Sequence, residues 1–237
     1  KERLFMLIAG FNKTSFVDYP GVISSVVFTP YCNMDCWYCH NRHILADNGL
    51  NLVEQEDVFD YLEKRAGQVK GVVVTGGEPT LQPDLIYFIS KLKELGLLVK
   101  LDTNGSNPDV LGKLIDRKLI DYSAMDIKAP LDKYSITAGR NVDIDKIRQS
   151  ICMLINGALP YEFRTTFAPT LTQEDILQIA DDIKGAKAYY LQQYRPYTGP
   201  AAQGTVAAAP KPHARQYVLE TAQKMKEKLG VCVVRGL

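Results

Sequence analysis

The chain lacks almost every feature that marks a membrane, nucleic-acid-binding or disulfide-stapled protein. Lys plus Arg number 28 against 27 Asp plus Glu, for a net charge of +1. That balance gives no electrostatic case for nucleic acid or a charged membrane surface. No run of about 18 apolar residues occurs, so no membrane-spanning helix is expected. The apolar stretch from Leu4 to Ala9 is too short for the core of a secretory signal. The 5 cysteines are odd in number, and three of them are clustered. That pattern argues against a disulfide framework and for a cytoplasmic setting. Cys152 and Cys232 stand alone beside apolar residues and are expected to be buried thiols.

No internal repeat and no dividing linker occurs. A length of 237 residues, 46% hydrophobic and 23% charged, suits one globular domain. We expect a single domain over residues 1–237, with a core of about 20–195 and a C-terminal extension of about 196–237.

Short apolar runs alternate with amphipathic helical patterns. Strands are expected near 25–28, 71–75, 97–101, 122–126, 161–166 and 188–191. Between them, Val58, Phe59, Leu62 and Ala66 share a helix face, as do Leu85, Ile86, Ile89, Leu92 and Leu95. Ile144, Ile147, Ile151, Leu154 and Ile155 make a third face. Gly96 sits where a helix C-cap glycine belongs, and Asn107-Pro108 reads as an N-cap followed by proline at the first helical position. Such alternation predicts an α/β fold with a parallel sheet, outer helices and right-handed crossovers. Six βα units are too few for a closed eight-stranded barrel, so a partial (β/α)6 barrel is expected. Residues 197–212, rich in Gly, Pro and Ala, read as a loop before a last helix near 213–229 and a short strand at 231–234.

The chemistry concentrates in Cys32, Cys36 and Cys39, a C-x3-C-x2-C cluster. Thiolates are soft ligands for iron–sulfur clusters or zinc. Three readings compete. A structural zinc site would use His40 or His43 as its fourth ligand, but its usual second knuckle is missing. An electron-transfer ferredoxin needs four cysteines per cluster. A cubane cluster held by three thiolates leaves one iron open to substrate.

Further polar motifs follow successive strands. Gly76 and Gly77 offer positive φ and close backbone approach by a ligand, and Glu78 adds an acceptor suited to an ammonium group. Asp102-Thr103-Asn104-Gly105 could hold ribose hydroxyls or a cation, or simply make an Asx turn. Asp126 ends its strand near Lys128, and Arg164 interrupts an apolar strand where a carboxylate partner is required. The cysteine loop and the motifs at 76–79, 102–105 and 126–128 all follow or end successive strands, at the carboxyl ends where α/β barrels place their sites.

Together these motifs resemble the radical S-adenosylmethionine (SAM) superfamily. The cysteine loop, with aromatic Tyr38 before its last cysteine, and Gly76-Gly77-Glu78-Pro79 carry the likeness. Asn12–Gly21, Cys39-His40-Asn41, Asp102-Thr103-Asn104-Gly105 and Asp126-Ile127-Lys128 narrow it to the glycyl radical enzyme activases. Among these the chain most resembles the activating proteins of anaerobic ribonucleoside-triphosphate reductase, from about residue 8 to about 195.

The resemblance implies a [4Fe–4S] cluster on Cys32, Cys36 and Cys39, with SAM on the fourth iron. It implies Tyr38 near the adenine, and Gly76, Gly77, Glu78 and Asn104 around SAM. Lys128 and Arg164 would lie near the SAM carboxylate, and Asp102, Thr103 and Asp126 would hold a monovalent cation. The implied partners are a glycyl radical enzyme, anaerobic ribonucleotide reductase foremost, and an electron donor such as flavodoxin or ferredoxin. Other readings are an activase of the pyruvate formate-lyase type, or a small-molecule enzyme like 7-carboxy-7-deazaguanine synthase. Tyr31 departs from the family, which often has glycine before the first cysteine.

Overall fold

Short runs of Val, Leu, Phe, Tyr and Thr form strands close to where the sequence places them. The computed structural model describes residues 6–46, 50–196 and 210–237. Most of the expected 197–212 loop therefore lies outside the described residues. The strands are β1 (Gly10–Ser15), β2 (Ser24–Thr29), β3 (Gly71–Gly76), β4 (Leu98–Thr103), β5 (Tyr122–Asp126), β6 (Tyr161–Phe167), β7 (Tyr189–Gln193) and β8 (Val233–Arg235). They form one sheet in sequence order. β1 runs antiparallel to β2, and every other neighbour is parallel. Among the described residues β1 and β8 are its two edges, so the sheet is an open, partial barrel.

Helices follow the parallel strands: α1 (Gln55–Lys64), α2 (Leu85–Glu94), α3 (Pro108–Asp116), α4 (Tyr134–Ala138), α5 (Ile144–Asn156), α6 (Gln173–Asp182) and α7 (Arg215–Leu229). Each strand alternates its side chains between two faces. On the outer face Val72, Val74, Val99, Leu101, Met125, Phe163 and Leu191 join the main core under the helices. The inner face holds only a small apolar cluster of Tyr19, Val26 and Val73. Above that cluster, Lys100, Asp102, Asp126, Glu162 and Arg164 share the inner face, one or two from each strand. The parallel registers set Asp126 opposite Arg164 and Gln192 opposite Arg235.

Several expectations change. β1 was not foreseen, because Asn12, Lys13 and Thr14 are exposed and give it no apolar signature. It survives as an edge strand paired on one side only. Cys152 is exposed rather than buried. It follows Ile151 on α5, and one helical step of about 100° turns it away from the core face of Ile147, Ile151 and Leu154. Cys232 is half-buried, and burial pushes its thiol up to about 12. Asn107 precedes Pro108 at the start of α3 as expected, but its amide donates to the Thr80 carbonyl (3.0 Å) instead of capping the helix. Gly96 takes the left-handed φ of +75° expected after α2.

α7 docks on α6 through polar side chains. Tyr217 Oη accepts from Gln173 N (2.9 Å), and Gln173 Nε2 donates to Thr221 Oγ1 (3.1 Å). At the start of α6, Thr172 and Asp175 form a reciprocal capping box. Thr172→Ala is expected to cost about 1 kcal/mol of stability, read as a lower urea midpoint at unchanged slope.

Candidate active site

The loop after β2 carries the three cysteines, and it is stitched to the loop after β3 by main-chain hydrogen bonds. Gly77 N donates to Thr29 O (2.8 Å), and Glu78 N donates to Tyr31 O (2.8 Å). Asn41 Nδ2 donates to Gly76 O (2.9 Å). These bonds explain the glycine pair more directly than ligand approach does. A Cβ on Gly77 would run into the Tyr31 carbonyl, and one on Gly76 would meet the Thr29 backbone. Gly76 also holds φ at +125°, a conformation open to glycine alone without strain. Tyr31, just before the first cysteine, sits at φ +67°, in the left-handed region that favours glycine. The left-handed turn is thus kept without its usual residue.

Glu78 locks this pair of loops to a third. Its carboxylate is fully buried. Oε1 accepts from Thr80 N (3.1 Å), Thr80 Oγ1 (2.5 Å) and Thr103 Oγ1 (2.8 Å), and Oε2 accepts from Asn104 N (2.7 Å). Burial pushes its carboxyl up, against the pull of those donors. Its oxygens are committed to the protein, so Glu78 does not line the cavity as an acceptor for an ammonium group. Asn104 extends the clamp back to the cysteine loop, donating to Asn33 Oδ1 (2.9 Å) and lying 3.8 Å from Cys32 Sγ.

These loops enclose a cavity of about 680 Å³, within the size range of small-molecule sites. Every site residue expected from the sequence lines it except Glu78. Cys32, Cys36 and Cys39 line this cavity together with Tyr38, whose buried Oη has no hydrogen-bond partner among the described residues. Burial pushes the Cys32 thiol up to about 11 and raises Cys39 as well. Ionising such thiols requires a compensating positive charge, which ligated iron provides. Trp37 packs against both Tyr38 and Tyr194, and His40 Nε2 donates to Arg195 O (2.9 Å). Both contacts seat the cysteine loop on the end of β7.

The floor of the cavity is a chain of alternating charge. Lys100 Nζ donates to Asp102 Oδ1 (2.5 Å), and Arg164 Nη1 to Asp102 Oδ2 (3.1 Å). Arg164 Nε donates to Asp126 Oδ1 (2.9 Å), and Lys128 Nζ to Asp126 Oδ2 (3.0 Å). Arg235 grips Glu162 with two bonds of 2.8 and 3.0 Å and lies over the Tyr190 ring. Glu162 in turn lies 3.9 Å from Arg164 Nη1.

Sequence reasoning missed Lys100, Asp18, Arg195, Arg235 and Gly236, the last four on the cavity wall. Lys100 had a readable signal: a lysine two residues before Asp102 in an apolar strand shares its face. Arg235 had none, because only the parallel pairing of β8 brings it here.

Burial alone would raise the Asp126 carboxyl, but Arg164 and Lys128 outweigh it and hold it well below the usual range. Its side chain is 31% exposed, and that exposed part faces the cavity rather than open solvent. A lowered folded pKa means the native state binds the ionised form. The stability it adds is present above the ordinary carboxylate value of about 4 and is lost as pH falls below it. Asp126→Asn is expected to be less stable at neutral pH and to show a flatter loss between about pH 5 and 2, measured by denaturant unfolding across that range.

Comparison with known proteins matches residues 26–183 to the radical SAM superfamily. A Methanocaldococcus jannaschii protein named "putative glycyl-radical enzyme activating enzyme" is 34% identical over 97% of both chains. The pyruvate formate-lyase-activating enzyme of Streptococcus mutans is 30% identical over 83% of this chain and 79% of its own. Among solved structures, Streptococcus suis SuiB bound to S-adenosylmethionine superposes with a TM-score of 0.65 at 16% identity, covering 89% of this chain and 52% of that one. That likeness is one of fold. The three thiols lining one cavity, the Tyr38 hydroxyl unpartnered among the described residues and the Arg164 and Lys128 cations beside them suit the [4Fe–4S] cluster and SAM that define the family. The protein is an enzyme of the radical SAM superfamily.

Proposed function

We propose that the protein activates a glycyl radical enzyme, with anaerobic ribonucleoside-triphosphate reductase as its partner. The observation that carries the reading is likeness along almost the whole chain, 97% of it, to a protein named for glycyl radical enzyme activation. The motifs from Asn12 to Gly21 and at 102–105 and 126–128 support the reductase branch. When bound, the reduced cluster and SAM together supply a 5′-deoxyadenosyl radical and methionine.

The chain's own groups then have distinct tasks. Cys32, Cys36 and Cys39 hold the cluster. Tyr38 offers its unpartnered Oη and ring to the bound nucleoside. Lys128 and Arg164 face the methionyl carboxylate. Asp102 and Asp126 keep those cations in place. Glu78 acts through the loops it clamps. Asp18, Arg195 and Arg235, which also line the cavity, are available to the incoming partner loop. The unclosed sheet leaves room for such a loop, whose binding energy brings the target glycine within reach.

Gly77→Ala is expected to lose iron incorporation and SAM binding together, because the new Cβ strikes the cysteine loop itself. Iron content after anaerobic reconstitution and SAM binding by equilibrium dialysis check this. Full iron with weakened SAM alone would show that the glycine serves only ligand approach.

The assignment itself is tested by anaerobic mixing of reconstituted protein, SAM and reductant with the partner reductase. A glycyl doublet in the EPR spectrum is expected only when all components are present, and none with Cys36→Ala. A doublet on pyruvate formate-lyase but not on the reductase moves the partner to that class. Turnover of a small molecule with no protein radical on either enzyme overturns the activase reading.

A further inference from the structure

Lys100 has no place in the reading so far. It is only 1% exposed, in the middle of a strand where it is flanked by buried Val99 and Leu101. A lysine is almost never fully buried without a partner of matching charge. Its partner here is Asp102 Oδ1, at 2.5 Å. Asp102 and Asp126 are also the carboxylates that the family resemblance assigns to a monovalent cation. The structure shows how those carboxylates are used.

All four of their oxygens receive a donor from a cationic side chain. Lys100 and Arg164 take the two oxygens of Asp102, and Arg164 and Lys128 take the two of Asp126. The third expected ligand is committed elsewhere: Thr103 Oγ1 donates to Glu78 Oε1 (2.8 Å) and accepts from Gly105 N (3.1 Å). A hard cation needs several oxygens with free lone pairs aimed at one point. Each oxygen has room for more than one partner, but a cation brought to it here would meet an ammonium or a guanidinium already paired there, not water. The expected cation does not fit this donor set.

We propose that the Lys100 ammonium is a built-in monovalent cation. It neutralises Asp102 in place of a dissolved ion, so SAM binding by this chain does not depend on Na+ or K+. A tethered charge is always at hand, because its effective concentration is set by the fold and not by the solution. Arg164 alone does not complete the arrangement. It bridges the two acids and leaves Asp102 Oδ1 to Lys100. Lys100 thus acts as a positioning residue. It holds Asp102, Asp102 holds Arg164, and Arg164 faces the cavity that takes SAM. The inference rests on family membership and not on the choice of partner enzyme.

The test uses the reconstituted full chain and two readouts other than turnover. The first is SAM affinity by equilibrium dialysis, at fixed ionic strength, in chloride salts of tetramethylammonium, Li+, Na+ and K+. Wild type is expected to bind SAM equally in all four. Lys100→Met is expected to bind about tenfold more weakly in tetramethylammonium and to recover in Na+ or K+. Lys100→Arg is expected to stay insensitive to the salt.

The second readout is sodium NMR relaxation without SAM, which separates failure of this inference from failure of the SAM site. Excess relaxation that K+ abolishes is expected in Lys100→Met and not in wild type. A sodium site in the wild-type protein overturns the proposal. So does wild-type SAM affinity that rises with Na+ or K+. A folded Lys100→Met protein whose weakened binding no monovalent cation repairs also overturns it, and would leave Lys100 as an ordinary structural ion pair.

Discussion

The Glu78 carboxylate is the constraint on which the rest of the site depends. One buried group accepts four hydrogen bonds from two different loops. A buried carboxylate is expensive unless its lone pairs are used, and losing one partner would leave the others unsatisfied. The cost therefore enforces the geometry. The loop after β3 is fixed to the loop after β4, and both are fixed to the cysteine loop through Tyr31, Asn33 and Asn104. The glycines at 76 and 77 follow from the same closeness, because no Cβ fits between the two backbones. Residues that read as ligand contacts are first of all the conditions for assembling a ligand site.

The inner face of the sheet carries a second kind of order. Lys100, Asp102, Arg164, Asp126 and Lys128 alternate in sign, so each charge has an opposite neighbour. Buried ion pairs add little net stability over apolar packing, but breaking one leaves an uncompensated charge. Such a network selects one arrangement more than it strengthens the fold. Burial alone would lower Lys128, yet Asp126 keeps it well above its ordinary value, so its ammonium stays charged at the cavity wall. A charged and immobile wall is what an anionic group on a ligand needs, because no reorganisation is left to do on binding.

Legibility in the sequence followed the range of the interactions. Strands β2 and β3 are readable as continuous apolar runs, and β4 to β7 from their short stretches of apolar and aromatic residues even where charges interrupt them. The cysteine loop and the 102–105 turn were readable because their chemistry is local. Roles that depend on which way a side chain turns were not. Glu78 looks like a ligand acceptor until Thr103 and Asn104 are seen to claim its oxygens. Cys152 looks buried from its apolar neighbours, and one helical step makes it exposed. The edge strand β1 left no apolar trace, and Arg235 gave no sign that the end of the chain returns to the site.

Arg235 shows why the C-terminal strand belongs to the site's physics as well as to its outline. Glu162 is 1% exposed and lies between two arginines. Tyr122 Oη donates to it at 3.2 Å, and Arg235 supplies the fork that neutralises it. Without that fork, Glu162 would compete with Asp102 and Asp126 for the Arg164 guanidinium, the neighbouring cation at 3.9 Å. β8 therefore protects the pairing of Arg164 by satisfying its rival. The cavity wall draws on Asp18 near the start of the chain and Arg235 near its end. The cysteine and glycine loops are held together where β2 and β3 pair, whereas the Glu162 end of the charged floor is satisfied through the pairing of β8 with β7.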